Sequence, residues 1–264
     1  MKLDVLMSCM HQADTSLISK TGINGNAVVI NQCDVEDYIK VDTERGIAEM
    51  YSVTSRGLTK SRNLAISRSN GDICLLCDDD EVLVDDYEFI IINAYKNLVD
   101  ADIIAFDLEN HPCSLKKRIQ RLKFPKTMKI CSCQITFRRE SILKKGVKFD
   151  ELLGAGTGNG AEEELKFLRD CQNANLKIYF VPQIIAKICE DESTWFSGFD
   201  EKFFENRGAT TRYILGWFLS SLYAIYYVLR KRNMYKNQIS VSRALRAIFK
   251  GIHNNKISKQ SKQI

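Results

Sequence analysis

The chain has 264 residues, 45% of them hydrophobic and 27% charged, which is enough apolar material for one large α/β domain with an appendage and too much for a disordered chain. The formal charge of +5 is unevenly spread: from Arg230 onward there are ten Lys or Arg and no Asp or Glu, so the tail carries +10 and the preceding body −5. Such a tail calls for an anionic partner, and without a zinc-finger, RRM or homeodomain signature a membrane surface is favoured and no nucleic acid is expected.

The nine cysteines are an odd number in a chain that is not small. The sequence opens Met1-Lys2-Leu3-Asp4 straight into a strand-like run, so a disulfide framework is not expected and a reducing cytoplasm is. Cys74 and Cys77 have CxxC spacing but lie within an apolar run that lacks the turn of a zinc knuckle, and Cys131 and Cys133 read as part of another strand. Structural burial is expected for both pairs.

In chain order, strands are expected over Leu3–Met7, Ala27–Ile30, Ala48–Val53, Ile73–Leu76 and Ile103–Phe106, with helices over Leu58–Ser69 and Tyr87–Val99. Apolar runs without a polar face, separated by helices, imply a mainly parallel sheet covered on both sides. Ligands of such sheets bind at the carboxyl ends of the strands. The run Ile73–Cys77 ends in Asp78, Asp79 and Asp80 with Glu81 directly behind, and adjacent carboxylates repel unless solvent or a cation faces them. Upstream, Arg56, Lys60 and Arg62 surround a glycine and a helix start, a setting suited to phosphates. Downstream, Gly154, Gly156, Gly158 and Gly160 precede Glu162, Glu163 and Glu164. That loop lacks the Lys and Ser or Thr of a P-loop and lies too late for a dinucleotide fingerprint, so close backbone approach to a ligand is its expected use.

The succession GLTKSRNLAI, GDICLLCDDD, FDELLGAGTGNGAEEELKFL, KIYFVPQII and STWF resembles the family 2 glycosyltransferases, in particular bacterial enzymes that assemble capsule, exopolysaccharide or O-antigen chains. The likeness spans Met1 to Gly208. It implies a GT-A fold, a nucleotide-diphosphate sugar donor with UDP-sugars foremost, Mg²⁺ or Mn²⁺ held at a DxD motif, and inversion at the anomeric carbon. Carried onto this chain, Asp80 and Asp78 are the metal ligands. Asp78, Asp79, Arg56, Arg62 and Asn63 lie at the nucleotide sugar, and Glu164, with Glu163 as the alternative, takes the proton of the acceptor hydroxyl. Relatives often place Asp where Glu164 stands, and a histidine where this chain has Cys189, Glu190 and Asp191. His11, His111 and His253 are expected to be solvated or structural, and Trp195 either lines an acceptor cleft or is core.

The expected organisation is a catalytic domain over residues 1–207 and a membrane-associating helical region over 208–264, in a cytoplasmic protein attached peripherally to the inner membrane face. A lipid-linked saccharide is the expected acceptor. Seventeen uncharged residues, 213–229, would span about 25 Å as a helix, short of the roughly 30 Å hydrocarbon core. Crossing would also export a cationic tail against the positive-inside tendency. An interfacial helix assisted by Arg243, Arg246 and Lys250 is therefore expected, with packing on the body or on a second copy in a homo-oligomer as the alternative. A nucleotidyltransferase with a similar acidic cation site and a non-catalytic carbohydrate-binding protein remain the competing readings of the whole chain.

Overall fold

A computed structural model describes residues 1–159, 162–189, 198–254 and 256–261. The chain divides into two compact units: Met1–Phe149 with Glu164–Asp191, and Asp150–Glu163 with Glu192–Ile264.

The first unit is built on a sheet of β1 (Leu3–Met10), β2 (Asn26–Gln32), β3 (Asp37–Asp42), β4 (Ile47–Val53), β5 (Ile73–Asp78), β6 (Glu81–Leu83), β7 (Ile103–Leu108), β8 (Gln120–Leu122), β9 (Ile135–Arg138) and β10 (Ile178–Ile188). The order across the sheet is β3-β4-β2-β1-β5-β9-β7-β10-β6, with β8 on β10. β4, β2, β1 and β5 run parallel, whereas β9 lies antiparallel between β5 and β7. Its helices are α1 (Ser16–Lys20), α2 (Leu58–Arg68), α3 (Tyr87–Asn97), α4 (Arg139–Lys144) and α5 (Glu163–Asn173).

β5 shows why an unbroken apolar run suits this position. Successive side chains of a strand point to opposite faces, and here both faces are covered. Ile73, Leu75 and Cys77 enter one core with Tyr87, Ile91 and Tyr95 of α3. Cys74 and Leu76 enter a second core with Ala65 and Ile66 of α2. The same alternation turns Asp78 towards α2, where the sheet ends and water begins. Cys74 and Cys77 are buried core thiols, and all nine cysteines are free. Cys131 and Cys133, expected buried on a strand, instead belong to a 3₁₀ turn (Ser132–Gln134) immediately before β9, with the half-buried Cys131 at its N-cap and the buried Cys133 within it. The antiparallel edge strand β3 was not foreseen because its residues are mostly exposed and form no apolar run.

The second unit is helical, with α6 (Glu201–Arg230), α7 (Arg232–Tyr235), α8 (Val241–Asn254) and α9 (Lys256–Gln260). The expectation of one helix through 213–229 needs correction. Gly216 has φ 77° and ψ 176°, a conformation open to glycine and strained for other residues, and it breaks α6 into two arms. The arms fold back on each other: Arg207 Nη1 donates to the Tyr223 hydroxyl at 2.8 Å, and the rings of Phe204 and Tyr227 lie 6.4 Å apart. α8 closes the bundle through Ala244, Ala247, Ile248 and Ile252. α6 and α8 cross where neither has a side chain: a Cβ on Gly208 would lie 2.0 Å from the Ile248 carbonyl oxygen, and one on Gly251 would lie 1.9 Å from that of Glu205. Two of the cations expected to meet lipid are engaged within the bundle, Arg243 with Glu201 at 2.9 Å and Lys250 with Glu205 at 2.8 Å. Among the described residues no helix is long and apolar enough to cross a membrane.

Candidate active site

The four acids at the end of β5 have three different environments. Asp78, half-buried, is fully engaged. Its Oδ1 is 2.8 Å from Arg62 Nη2, its Oδ2 accepts from the Ser132 hydroxyl at 2.9 Å, and its backbone N–H donates to Glu81 Oε1 at 3.1 Å. Asp79 and Asp80 are exposed. Glu81 turns inward and is 2% exposed, with Oε2 lacking any hydrogen-bond partner. Burial, with Asp78 adding to it, pushes the Glu81 carboxyl well above the usual range, and its Oε1 serves the strand end by accepting from the Asp78 N–H.

Asp79 is affected more mildly. Partial loss of water, and then the neighbouring Asp78, raise its carboxyl above the ordinary value, while Lys20 acts in the opposite direction. Asp80 is fixed through its backbone, its carbonyl accepting from the Cys189 N–H at 2.7 Å. The last residue before β6 is thereby tied to the chain just beyond β10.

Arg62 is 2% exposed and lies on the inner face of α2. Its guanidinium is 5.5 Å from the Phe149 ring centroid, and Phe149 stacks on Phe167 of α5 at 4.3 Å with an 8° interplanar angle. The column Asp78, Arg62, Phe149, Phe167 thus connects the acidic strand end to α5. Glu164 precedes Phe167 by three residues, one turn along the same helix face, and is half-buried. Glu163 is 7% exposed and falls in the second unit, as does Glu162, which pairs with the half-buried Arg207 at 2.6 Å.

Two residues expected at the nucleotide are occupied by the fold. Asn63 exchanges both amide bonds with the Phe149 backbone, donating to its carbonyl and accepting from its N–H, each at 2.9 Å. Arg56 donates to the carbonyls of Cys33, Val53 and Thr54 at 2.7, 3.3 and 2.8 Å, and meets Asp34 at 2.6 Å. It therefore ties together the carboxyl ends of β2 and β4. Lys60, by contrast, is exposed on the first turn of α2. Ser132, Phe149 and Arg207 were missed in the sequence. A serine between two cysteines and a lone aromatic carry no pattern of their own, and their partners are 54, 86 and 45 positions away. Gly154, Gly156 and Gly158 all have positive φ. Gly160, Glu190, Asp191 and Trp195 lie outside the described residues. The three histidines are exposed.

Among the described residues no three His, Cys, Asp or Glu side chains converge into a metal-binding group. The strand end offers instead two exposed carboxylates, which are hard oxygen donors. That partial set suits Mg²⁺ or Mn²⁺, which retain water and accept phosphate oxygens as further ligands, and it does not suit the closed N/S set of a structural zinc site. Asp78 can share in such a site only through the second lone pairs of oxygens already held by Arg62 and Ser132.

No protein-family profile and no curated protein matches the sequence. Solved structures do match. Residues 1–349 of TarS from S. aureus, in complex with UDP-GlcNAc, superpose with a TM-score of 0.62 at 13% identity, covering 96% of this chain and 82% of that one. The same protein with UDP gives 0.59 at 13% identity, covering 96% and 81%. The mannosyltransferase PcManGT from Pyrobaculum calidifontis, in complex with GDP-Man and Mn²⁺, gives 0.52 at 12% identity over 95% of this chain and 73% of that one. The fold is GT-A, the α/β architecture of nucleotide-sugar glycosyltransferases.

Proposed function

We propose that the protein is an inverting, metal-dependent glycosyltransferase. It would move a sugar, of hexosyl type, from a nucleotide-diphosphate donor, first of all a UDP-sugar, to a hydroxyl of a lipid-linked or growing polysaccharide acceptor in capsule, exopolysaccharide or O-antigen synthesis. One observation carries the reading: in a GT-A fold, two exposed carboxylates, Asp79 and Asp80, stand at the carboxyl end of the central parallel strands beside an Asp78 locked by Arg62 and Ser132.

The ligands bound by TarS and PcManGT, UDP-GlcNAc and GDP-Man, support a nucleotide sugar as the donor. Transfer develops positive charge on the sugar and negative charge on the departing diphosphate. Asp80, with Asp78 as its partner, would hold Mg²⁺ or Mn²⁺, which when bound supplies charge compensation to the diphosphate. The protein's own contribution is preorganisation. Arg62 and Ser132 fix Asp78, Arg56 fixes the strand ends beside the nucleotide, and Asn63 fixes Phe149 under Arg62. Lys60 brings an exposed cation to the start of α2. Glu164 takes the acceptor hydroxyl proton, a general-base role, with Glu163 the alternative one residue earlier. Residues 1–207 would carry this chemistry and 208–264 would hold the protein peripherally on the cytoplasmic membrane face, beside the acceptor.

Thermal-shift titration with a set of nucleotide-diphosphate sugars tests the donor site. A melting-temperature rise with one nucleotide series, enlarged by Mn²⁺ in the wild type but not in Asp80→Asn, is expected. No shift with any nucleoside diphosphate or its sugars, with or without the cation, would overturn the reading.

A further inference from the structure

The second arm of α6, residues 217–230, is two-sided in an unusual way. Ser220, Ala224, Tyr227 and Val228 face the bundle and are buried. The opposite side should be polar in a water-soluble helix, yet it carries Trp217, Phe218, Leu222, Ile225, Tyr226 and Leu229, which are 60%, 66%, 52%, 46%, 60% and 58% exposed. Phe218, Leu222, Ile225 and Leu229 recur at intervals of four, three and four, so they form one stripe along the arm. A continuous exposed apolar stripe of this size marks a surface that water does not cover in the working protein.

The charge around the stripe selects its partner. The arm ends in Arg230, Lys231 and Arg232, all exposed, and from Arg230 onward the sequence has no acid at all. A second copy would bring the same cations with nothing in this segment to neutralise them. An anionic bilayer supplies both what the apolar stripe needs and what the cationic end needs, and Trp and Tyr within the stripe suit the headgroup depth.

We infer that the outward face of residues 217–229, with Arg230, Lys231 and Arg232 at its end, is an in-plane membrane-binding surface for anionic lipid. This deepens the proposed peripheral attachment and relocates it. Arg243 and Lys250 of α8 are already paired with Glu201 and Glu205, so the contact belongs to the second arm of α6. Gly216 makes the surface available, since an unbroken helix could not fold its first half onto the arm's inner side and leave this side exposed.

The test is flotation of the full-length protein with vesicles of phosphatidylcholine containing about 30 mol% phosphatidylglycerol, against pure phosphatidylcholine. Expected are binding to the anionic vesicles, its weakening at about 0.5 M salt, and quenching of Trp217 fluorescence by brominated acyl chains that is lost in Trp217→Phe. The triple variant Phe218→Ser, Leu222→Ser, Ile225→Ser, and separately the triple Gln variant of Arg230, Lys231 and Arg232, should each lose binding at least about ten-fold. Because all six positions are exposed, both variants should keep the wild-type melting temperature and the donor-dependent thermal shift, so failure of this inference is distinguishable from failure of the donor reading. Wild-type protein that ignores anionic vesicles overturns the inference. So does either variant binding like the wild type, or a sedimentation-detected dimer that the serine variant abolishes in the absence of lipid.

Discussion

Arg62 Nη2 lies 2.8 Å from Asp78 Oδ1, a cation removed from water by α2 and held against the first of three consecutive aspartates. The pair divides the acidic row. Asp78 becomes a fixed anion held by Arg62 and Ser132, and the two residues that follow are exposed.

Asp80→Asn should abolish sugar transfer without harming the fold. Asp80 is exposed and the substitution removes one of several crowded like charges, so the melting temperature should hold or rise. Turnover measured with saturating Mn²⁺ checks it. Near-normal activity in the variant would show that Asp80 does not hold the cation.

Glu164→Gln should keep donor and metal binding and lose transfer by about 10² to 10⁴ fold, the range for removal of a general base. Glu163→Gln, made at a buried position in the preceding residue, should lower stability more than it lowers turnover of the folded fraction. Paired single-turnover and melting measurements separate the two. If Glu163→Gln is the inactive but stable variant, the base lies one residue earlier.

How far the site was legible before the structure depends on the range over which its signals act. The apolar run of β5 and the aspartates behind it are contiguous, and period-2 alternation between two buried faces leaves such a run no polar side, so strand, core and acidic end could all be read from adjacent residues. The three environments within the acidic row could not. They depend on Ser132 and Arg62 arriving from distant segments, and on β6 pairing with β10 so that Glu81 points into the core. The apolar stretch 213–229 was legible as a helix but not as a broken one. The residues on both sides of Gly216 favour a helix, a lone glycine costs a helix only about 1 kcal/mol, and the fold-back is rewarded by distant packing such as that of Arg207 on Tyr223 and of Phe204 on Tyr227.

Glu81→Gln should leave the protein at least as stable as the wild type, by a margin that grows with pH. The folded-state carboxyl is raised above its unfolded value near 4.5. The folded chain therefore keeps a proton that the unfolded chain releases, and stability falls as pH rises from that value towards the folded one. The uncharged amide retains the acceptor for the Asp78 N–H without this penalty. Urea unfolding at several pH values, in chelator so that no cation enters, checks it. Equal stability loss in the variant at every pH would contradict a raised Glu81 carboxyl.

Gly251→Ala should destabilise the helical unit by about 3 kcal/mol, since a methyl group 1.9 Å from the Glu205 carbonyl oxygen forces α6 and α8 apart and cannot be relieved by a rotamer change. Gly146→Ala, where nothing lies within 4 Å but φ is +63°, should cost only the backbone strain of about 1 to 2 kcal/mol. Calorimetry of the two variants distinguishes close packing from conformational strain.

The central claim, that the acids at the end of β5 serve transfer of a sugar from a nucleotide donor, is tested most directly by product analysis. Purified protein is incubated with nucleotide-diphosphate sugars and Mn²⁺, and in parallel with nucleoside triphosphates and sugar phosphates. Release of nucleoside diphosphate from one donor, stopped by chelator and absent in Asp80→Asn, is the predicted result. Release of pyrophosphate from the second mixture, or no product from either, would contradict it.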